Sequence, residues 1–205
     1  MISLVSDTID REDIGSLIEW LETEPIPRLT KGDITKEFEK EWAKKIGTTY
    51  SVYVNSGSSA LLLMFAALKY HSEKNPTSYS RIKNNKVVVP NLSWSTDVSS
   101  PHLLGYDVHL VDCNLQDLSI DLEALEKIFK EEQPAAFILV SVLGFVPKMA
   151  EIIRLCTKYN VILLEDVCES LGSEYNNRML GQFGLASCFS LYFGHHLSTI
   201  EGGFI

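Results

Sequence analysis

What this chain lacks narrows it first. Its four cysteines, Cys113, Cys156, Cys168 and Cys188, form no Cys-x-x-Cys pair, so neither a zinc-ribbon site nor a dithiol redox motif is expected. Reduced, mostly buried thiols and no bound metal are the expectation instead. Long apolar runs are missing too. The longest, Ala60 to Leu68, falls far short of the ~20 residues a membrane-spanning helix needs. Basic charge is scarce: 18 Lys and Arg face 27 Asp and Glu, a net charge of −9, which argues against nucleic acid or an anionic membrane as a partner. The opening Met-Ile-Ser-Leu-Val-Ser-Asp has no basic segment ahead of an apolar stretch, so no secretory signal is expected and a cytoplasmic location is. There is no internal repeat and no low-complexity linker.

What is present suits a globular enzyme. The 205 residues, 45% apolar and 22% charged, can build one sizeable core. Asp10-Arg-Glu-Asp13 reads as a helix start with a capping aspartate and early acids, and Ile14, Leu17, Ile18 and Leu21 follow at helical spacing. Pro25 and Pro27 interrupt the chain, and a second helix is expected from Asp33 to Lys45. Beyond it, strands are expected at 50–54, 87–89, 108–111, 137–141 and 161–164. Helices are expected at 58–70, 121–132 and 148–158. The polar stretch His71 to Asn85 reads as a surface loop. Short apolar strands alternating with helices predict an α/β fold, a mostly parallel sheet with helices on both faces. Residues 1–32 read as an N-terminal segment with a helix, and 33–205 as one large domain. The final Glu-Gly-Gly-Phe-Ile reads as a chain entering a strand, so a truncated sequence is expected.

Four places could carry chemistry. Asn55-Ser-Gly-Ser-Ser-Ala60 joins a strand to a helix. Such a turn offers free backbone N–H groups and a positive dipole end to an anion, although any strand-to-helix turn favours Gly and Ser. Trp94 stands four residues after Pro90, near the end of a predicted strand, where an aromatic could stack on a flat ligand or fill the core. Glu165-Asp166 closes the apolar strand Val161 to Leu164. A buried acid there needs a partner, unless Asp166 only caps a helix. Last comes Ser190-Leu-Tyr-Phe-Gly-His-His-Leu-Ser-Thr-Ile-Glu-Gly-Gly203. A lone histidine is usually structural, but imidazole is also the side chain that moves protons near neutral pH.

This last segment resembles the cofactor-lysine motif of the DegT/DnrJ/EryC1/StrS sugar aminotransferases. There a serine precedes the Schiff-base lysine by five residues and Glu-Gly-Gly closes the motif. His195 takes the lysine position, five residues after Ser190 and eight before Gly203; a one-residue slip would select His196. The resemblance continues through Asp7-Thr-Ile9, Thr30-Lys-Gly32, Asp117 to Asp121, Ser141 to Gly144 and Asn177 to Gly184. It implies the large domain of a fold-type I pyridoxal-phosphate transferase, with the smaller C-terminal domain missing. By the same resemblance, Gly57, Ser58 and Ser190 would bind the cofactor phosphate, Trp94 would stack on its ring, and Asp166 would meet the ring nitrogen. Glu169 would contact the ring or orient His195.

Imidazole cannot replace a primary amine in covalent attachment of the cofactor. Within the family, histidine at this place implies a 3-dehydratase of a nucleotide-linked 4-keto-6-deoxy hexose, with pyridoxamine 5'-phosphate bound non-covalently and His195 as base and acid. One kind of such enzyme uses glutamate as amino donor. The other carries a [2Fe-2S] cluster, whose paired cysteines the spacing here does not resemble. A homodimer is implied. An ordinary aminotransferase with a misread lysine, or a non-catalytic relative, are the competing readings; Lys83, Lys86 and Lys148 lie in no matching motif.

Overall fold

The computed structural model describes residues 8–74 and 84–205. The expected absence of a signal at 1–7, most of the expected loop and Lys83 lie outside the described residues.

Helix α1 (Arg11–Leu21) starts as the sequence suggested: the Asp10 side chain accepts from the backbone N–H groups of Glu12 and Asp13, and the Asp13 side chain accepts from the backbone of Asp10. Its apolar residues Ile14, Leu17, Ile18 and Leu21 remain exposed. Helix α2 (Asp33–Ile46) ends at Gly47, whose φ of 87° is the left-handed cap that glycine adopts without strain. Strand β1 is only Tyr53–Val54. Helix α3 runs Gly57–Lys74, so the expected loop starts at least one turn later than His71. β2 (Lys86–Pro90) leads to α4 (Ser95–Leu103) and β3 (Asp107–Val111). These are followed by α5 (Leu122–Glu132), β4 (Ala136–Val140), α6 (Met149–Tyr159) and β5 (Ile162–Asp166). A small hairpin, β6 (Glu174–Tyr175) and β7 (Arg178–Met179), precedes β8 (Ala186–Ser190) and β9 (Gly203–Phe204).

Seven strands form one sheet in the order β1-β9-β8-β5-β4-β2-β3. Pairings from β3 across to β8 are parallel; β9 runs antiparallel to both β8 and β1. Successive residues of a strand point to opposite faces, and the core divides accordingly. Val88, Phe137, Leu139 and Leu163 pack with Trp42, Phe129 and Ile152 of α2, α5 and α6. Val87, Val89, Ile138 and Leu164 pack with Leu61, Met64 and Phe65 of α3. Both faces of the sheet are therefore covered by helices, which is why its strands read as unbroken apolar runs. An aromatic cluster anchors the antiparallel edge: the Trp42 and Phe204 rings stack at 4.3 Å, and Phe38 meets Phe204 edge-on at 4.9 Å. Among the described residues no helix is long and apolar enough to cross a membrane.

The chain leaves β2 toward β3 on one side, then returns to place β4 on the other. Open parallel sheets bind ligands at the carboxyl ends of strands beside such a reversal. Trp94, Ser141, Asp166 and Ser190 all lie at or just beyond the carboxyl ends of β2, β4, β5 and β8.

Candidate active site

The site has an anion cradle, a buried wall and an open rim. The cradle is the start of α3. Ser56 caps it: its Oγ accepts from Ser59 N–H at 3.0 Å and its carbonyl from Ala60 N–H at 3.0 Å. The N–H groups of Gly57 and Ser58, in the first turn, have no acceptor within the helix. Gly57 lies against the end of β8 because it lacks a side chain. A Cβ there would stand 2.7 Å from Ser190 Cβ and 3.0 Å from Cys168 Sγ. Ser58 Oγ lies 3.3 Å from Thr96 Oγ1, linking the first turns of α3 and α4. Ser190 Oγ accepts from Tyr192 N–H at 3.3 Å. The structure thus places Gly57 against Ser190, with Ser58 next to it in the first turn of α3.

The wall is made of groups from three elements. Asp166 is buried at the end of β5, and its Oδ1 accepts from Cys168 N–H at 2.9 Å. It faces the carboxyl of Asp97 on α4, which is wholly buried. Asp97 Oδ2 accepts from Trp94 N–H at 3.0 Å, while Oδ1 has no partner. Burial, then the charge of Asp166, push the Asp97 carboxyl up to about 9. The Asp166 carboxyl and the Cys168 and Cys188 thiols offer atoms within 4.8 Å of one another. Both thiols are unoxidised. A hydrogen bond from Cys188 favours the Cys168 thiolate, but burial and Asp166 outweigh it and push Cys168 up to about 12. Cys188 is pushed well above its ordinary value by its hydrogen bond to Cys168 and by burial. Two neutral thiols are a weak cation-binding set. They serve here as the packed backing of the carboxyl pair.

Glu165 turns the opposite way, as its place beside Asp166 in a strand requires. It is buried and accepts from the N–H groups of Gly181, Phe183 and Gly184 at 2.8, 2.7 and 2.6 Å. Burial pushes its carboxyl up, and these three donors oppose that shift. The acid pair that closes β5 is thus split between a structural anchor and a carboxyl that faces Asp97.

The rim is the 191–200 segment with the turn after β5. Glu169 Oε2 accepts from Leu143 N–H at 3.0 Å, which fixes it beside the loop that follows β4. His195 is half-buried, and its backbone N–H donates to the Tyr192 carbonyl at 2.9 Å. Burial holds its imidazole below the ordinary value, against the opposing pull of Glu169 and Asp166. His195 therefore senses both carboxylates, while His196 is exposed. Trp94, 68% exposed, leads into α4 rather than ending a strand, and presents an open indole at the same edge.

Sequence reasoning missed Asp97, Thr96 and Cys188. Asp97 stands three residues after Trp94, a helix-capping spacing that could have flagged α4. Nothing local signals that it would meet Asp166.

The DegT/DnrJ/EryC1/StrS aminotransferase family matches residues 7–205. The GDP-4-keto-6-deoxy-D-mannose 3-dehydratase of Escherichia coli O55:H7 is 38% identical over 177 residues, covering 86% of this chain and 44% of the relative. The enzyme of the same name from Yersinia pseudotuberculosis is 35% identical over 200 residues, covering 98% and 49%. A solved GDP-4-keto-6-deoxymannose-3-dehydratase with a trapped PLP-glutamate geminal diamine superposes with a TM-score of 0.83 at 33% identity, over 100% of this chain and 50% of that one. The chain spans about half the length of the curated relatives it matches.

Proposed function

Since the chain belongs to the DegT/DnrJ/EryC1/StrS aminotransferase family, we propose that it is the cofactor-binding part of a pyridoxamine-phosphate-dependent 3-dehydratase. Its substrate is a nucleotide-linked 4-keto-6-deoxy hexose, GDP-linked by likeness to the relatives, and its role is deoxysugar synthesis for a surface polysaccharide. The observation that carries this reading is His195, where a covalent enzyme needs lysine. It is half-buried and senses Glu169 and Asp166.

The residues fit the cofactor. Gly57 keeps the start of α3 clear of a side chain beside Ser190, and the N–H groups of Gly57 and Ser58 with the Ser190 hydroxyl suit a phosphate. Trp94 offers an open face for stacking. Asp166 is a buried carboxylate, the group that keeps a pyridine nitrogen protonated. When bound, pyridoxamine phosphate supplies a primary amine for the C4 ketone and a ring that takes up electron density.

His195 does the proton work. Burial favours its neutral form, so at neutral pH it can accept a proton and then return one to the C3 oxygen as that leaves as water. Glu169, fixed by Leu143 N–H, orients His195 and stabilises its charged form. By likeness to the relative solved with a trapped PLP-glutamate geminal diamine, glutamate is the amino donor. Residues 33–205 form the cofactor-binding domain and 1–32 lead into it. The complete protein acts as a homodimer in the cytoplasm.

The test supplies the full-length protein with GDP-4-keto-6-deoxy-mannose, cofactor and glutamate. Glutamate-dependent loss of the C3 oxygen, followed by mass spectrometry, is the expected result. Accumulation of a 4-amino sugar with its C3 hydroxyl intact makes the protein an aminotransferase instead.

A further inference from the structure

Behind the expected ring site, two carboxyl groups share one buried space. Asp97 is wholly buried, and Asp166 nearly so. Asp97 sits in the first turn of α4, with Oδ2 taken by Trp94 N–H at 3.0 Å. Its other oxygen, Oδ1, has no donor, and the Asp166 carboxyl lies beside it. A buried oxygen without a donor, beside a second buried carboxyl, calls for a proton between the two groups. Two ionised carboxylates repel strongly in a buried space, and one of them takes up a proton.

Among the described residues, the surroundings supply no counter-charge. From β5 and the turn after it come Asp166, Glu169 and the Cys168 thiol; from β8 comes the Cys188 thiol; from the α4 cap comes the Trp94 N–H. The thiols are neutral and Glu169 adds negative charge. His195, beyond Asp166, is biased to its neutral form by burial.

We infer that Asp97 is protonated and donates a hydrogen bond to Asp166, which makes it a positioning residue for the carboxylate that meets the cofactor ring. Asp166 is then held by two donors, Cys168 N–H on Oδ1 and the Asp97 hydroxyl. It keeps one orientation. An aspartic acid at position 97 thus serves as a hydroxyl donor with a built-in upper pH limit. As pH rises toward about 9 the proton is lost, a second negative charge appears behind the ring, and the hydrogen bond is gone. The linkage has a definite sign. Because the folded-state value lies above the ordinary 3.8, the stabilising effect of the Asp97 proton is complete below pH ~4 and is lost on approaching pH ~9.

The protonation state does not depend on the dehydratase reading; only its consequence for the cofactor does. The first arm therefore uses full-length protein without cofactor. Infrared difference spectra between wild type and Asp97→Asn at neutral pH should show the carbonyl stretch of one protonated carboxylic acid, titrating near pH 9. Melting temperatures should converge with those of Asp97→Asn at acid pH and diverge as pH rises, with the wild type losing stability. A wild type with no acid carbonyl band at neutral pH overturns the inference. The second arm loads the cofactor. Asp97→Asn keeps a donor toward Asp166 and an acceptor for Trp94, so the pH profile of the bound cofactor's absorbance should follow the wild type up to the alkaline limb, which Asp97→Asn should lack. Asp97→Val, with no donor, should weaken cofactor binding about tenfold, as expected for loss of one hydrogen bond to a charged group. If the infrared band is present but both variants bind and titrate like wild type, the proton is there and its role in positioning Asp166 is refuted.

Discussion

The wall and the rim of the candidate site are built on opposite plans. The wall, Asp97, Asp166, Cys168 and Cys188, is contributed by α4, β5 and β8 with the turn after β5, and most of it is shut away from solvent. Its charges are set by burial and by one another. The rim, Trp94, Tyr192, His195 and His196, is open or half-open and sits on connecting segments. Fixed charge belongs on rigid elements, where it costs no reorganisation during reaction. Proton transfer belongs where a group can reach both substrate and solvent. The difference locates the chemistry: the wall would hold one electrostatic state, while the rim would change state in each turnover.

Breaking the wall should have the largest effect. Asp166→Asn preserves an acceptor for Cys168 N–H and should leave the fold intact by circular dichroism. Turnover should fall about 100- to 1000-fold, the scale of losing a preorganised charge partner. Near-normal turnover would reduce Asp166 to a local turn cap. Its neighbour is the control. Glu165→Ala removes the acceptor of three N–H groups, one buried and two part-buried, so it should cost about 3 kcal/mol of stability, read by denaturant unfolding. A stability loss under ~1 kcal/mol would show that water replaces the carboxylate. Adjacent acids would then differ in kind, one failing in chemistry and the other in folding.

The cradle joins the two regions and should respond more mildly. Gly57→Ala drives a methyl against Ser190 Cβ, 2.7 Å away, and Cys168 Sγ. Displacing α3 from β8 should cost about 1–3 kcal/mol of stability and weaken cofactor binding about tenfold, measured by cofactor titration. Unchanged binding would place the phosphate elsewhere.

The smallest effect is a pH dependence. His195 is held below its ordinary value by burial, so the acid limb of the turnover profile should lie below 6.5, with activity rising as the imidazole loses its proton. Asp97 should impose the alkaline limb near 9. Glu169→Gln removes a charge that favours protonated His195 and should move the acid limb further down. An acid limb above the ordinary histidine value would mean that the carboxylates dominate over burial.

The sequence disclosed the rim better than the wall. His195 was legible from its distances to Ser190 and Gly203, because the motif is contiguous. The Asp10 cap of α1 and the helices that became α2, α5 and α6 were legible for the same reason: each signal is local to a few turns of chain. Helix α4 was not, since Ser-Thr-Asp-Val-Ser-Ser-Pro-His-Leu carries Pro101 and almost no apolar stripe. Nor was β8, Ala-Ser-Cys-Phe-Ser, which lacks β-branched residues. Tertiary packing makes that strand, through its pairing with β5 and β9. Asp97 and Cys188 were invisible because their meaning depends on Asp166, brought beside them only by the sheet order.

The identity of the residue at 195 decides the account. Full-length wild type, His195→Lys and His196→Lys should each be loaded with pyridoxal phosphate, treated with borohydride and weighed intact. The prediction is a covalent cofactor adduct in His195→Lys alone, with dehydration abolished in that variant and the wild type unlabelled. A labelled wild type, or an adduct in His196→Lys but not in His195→Lys, would contradict it.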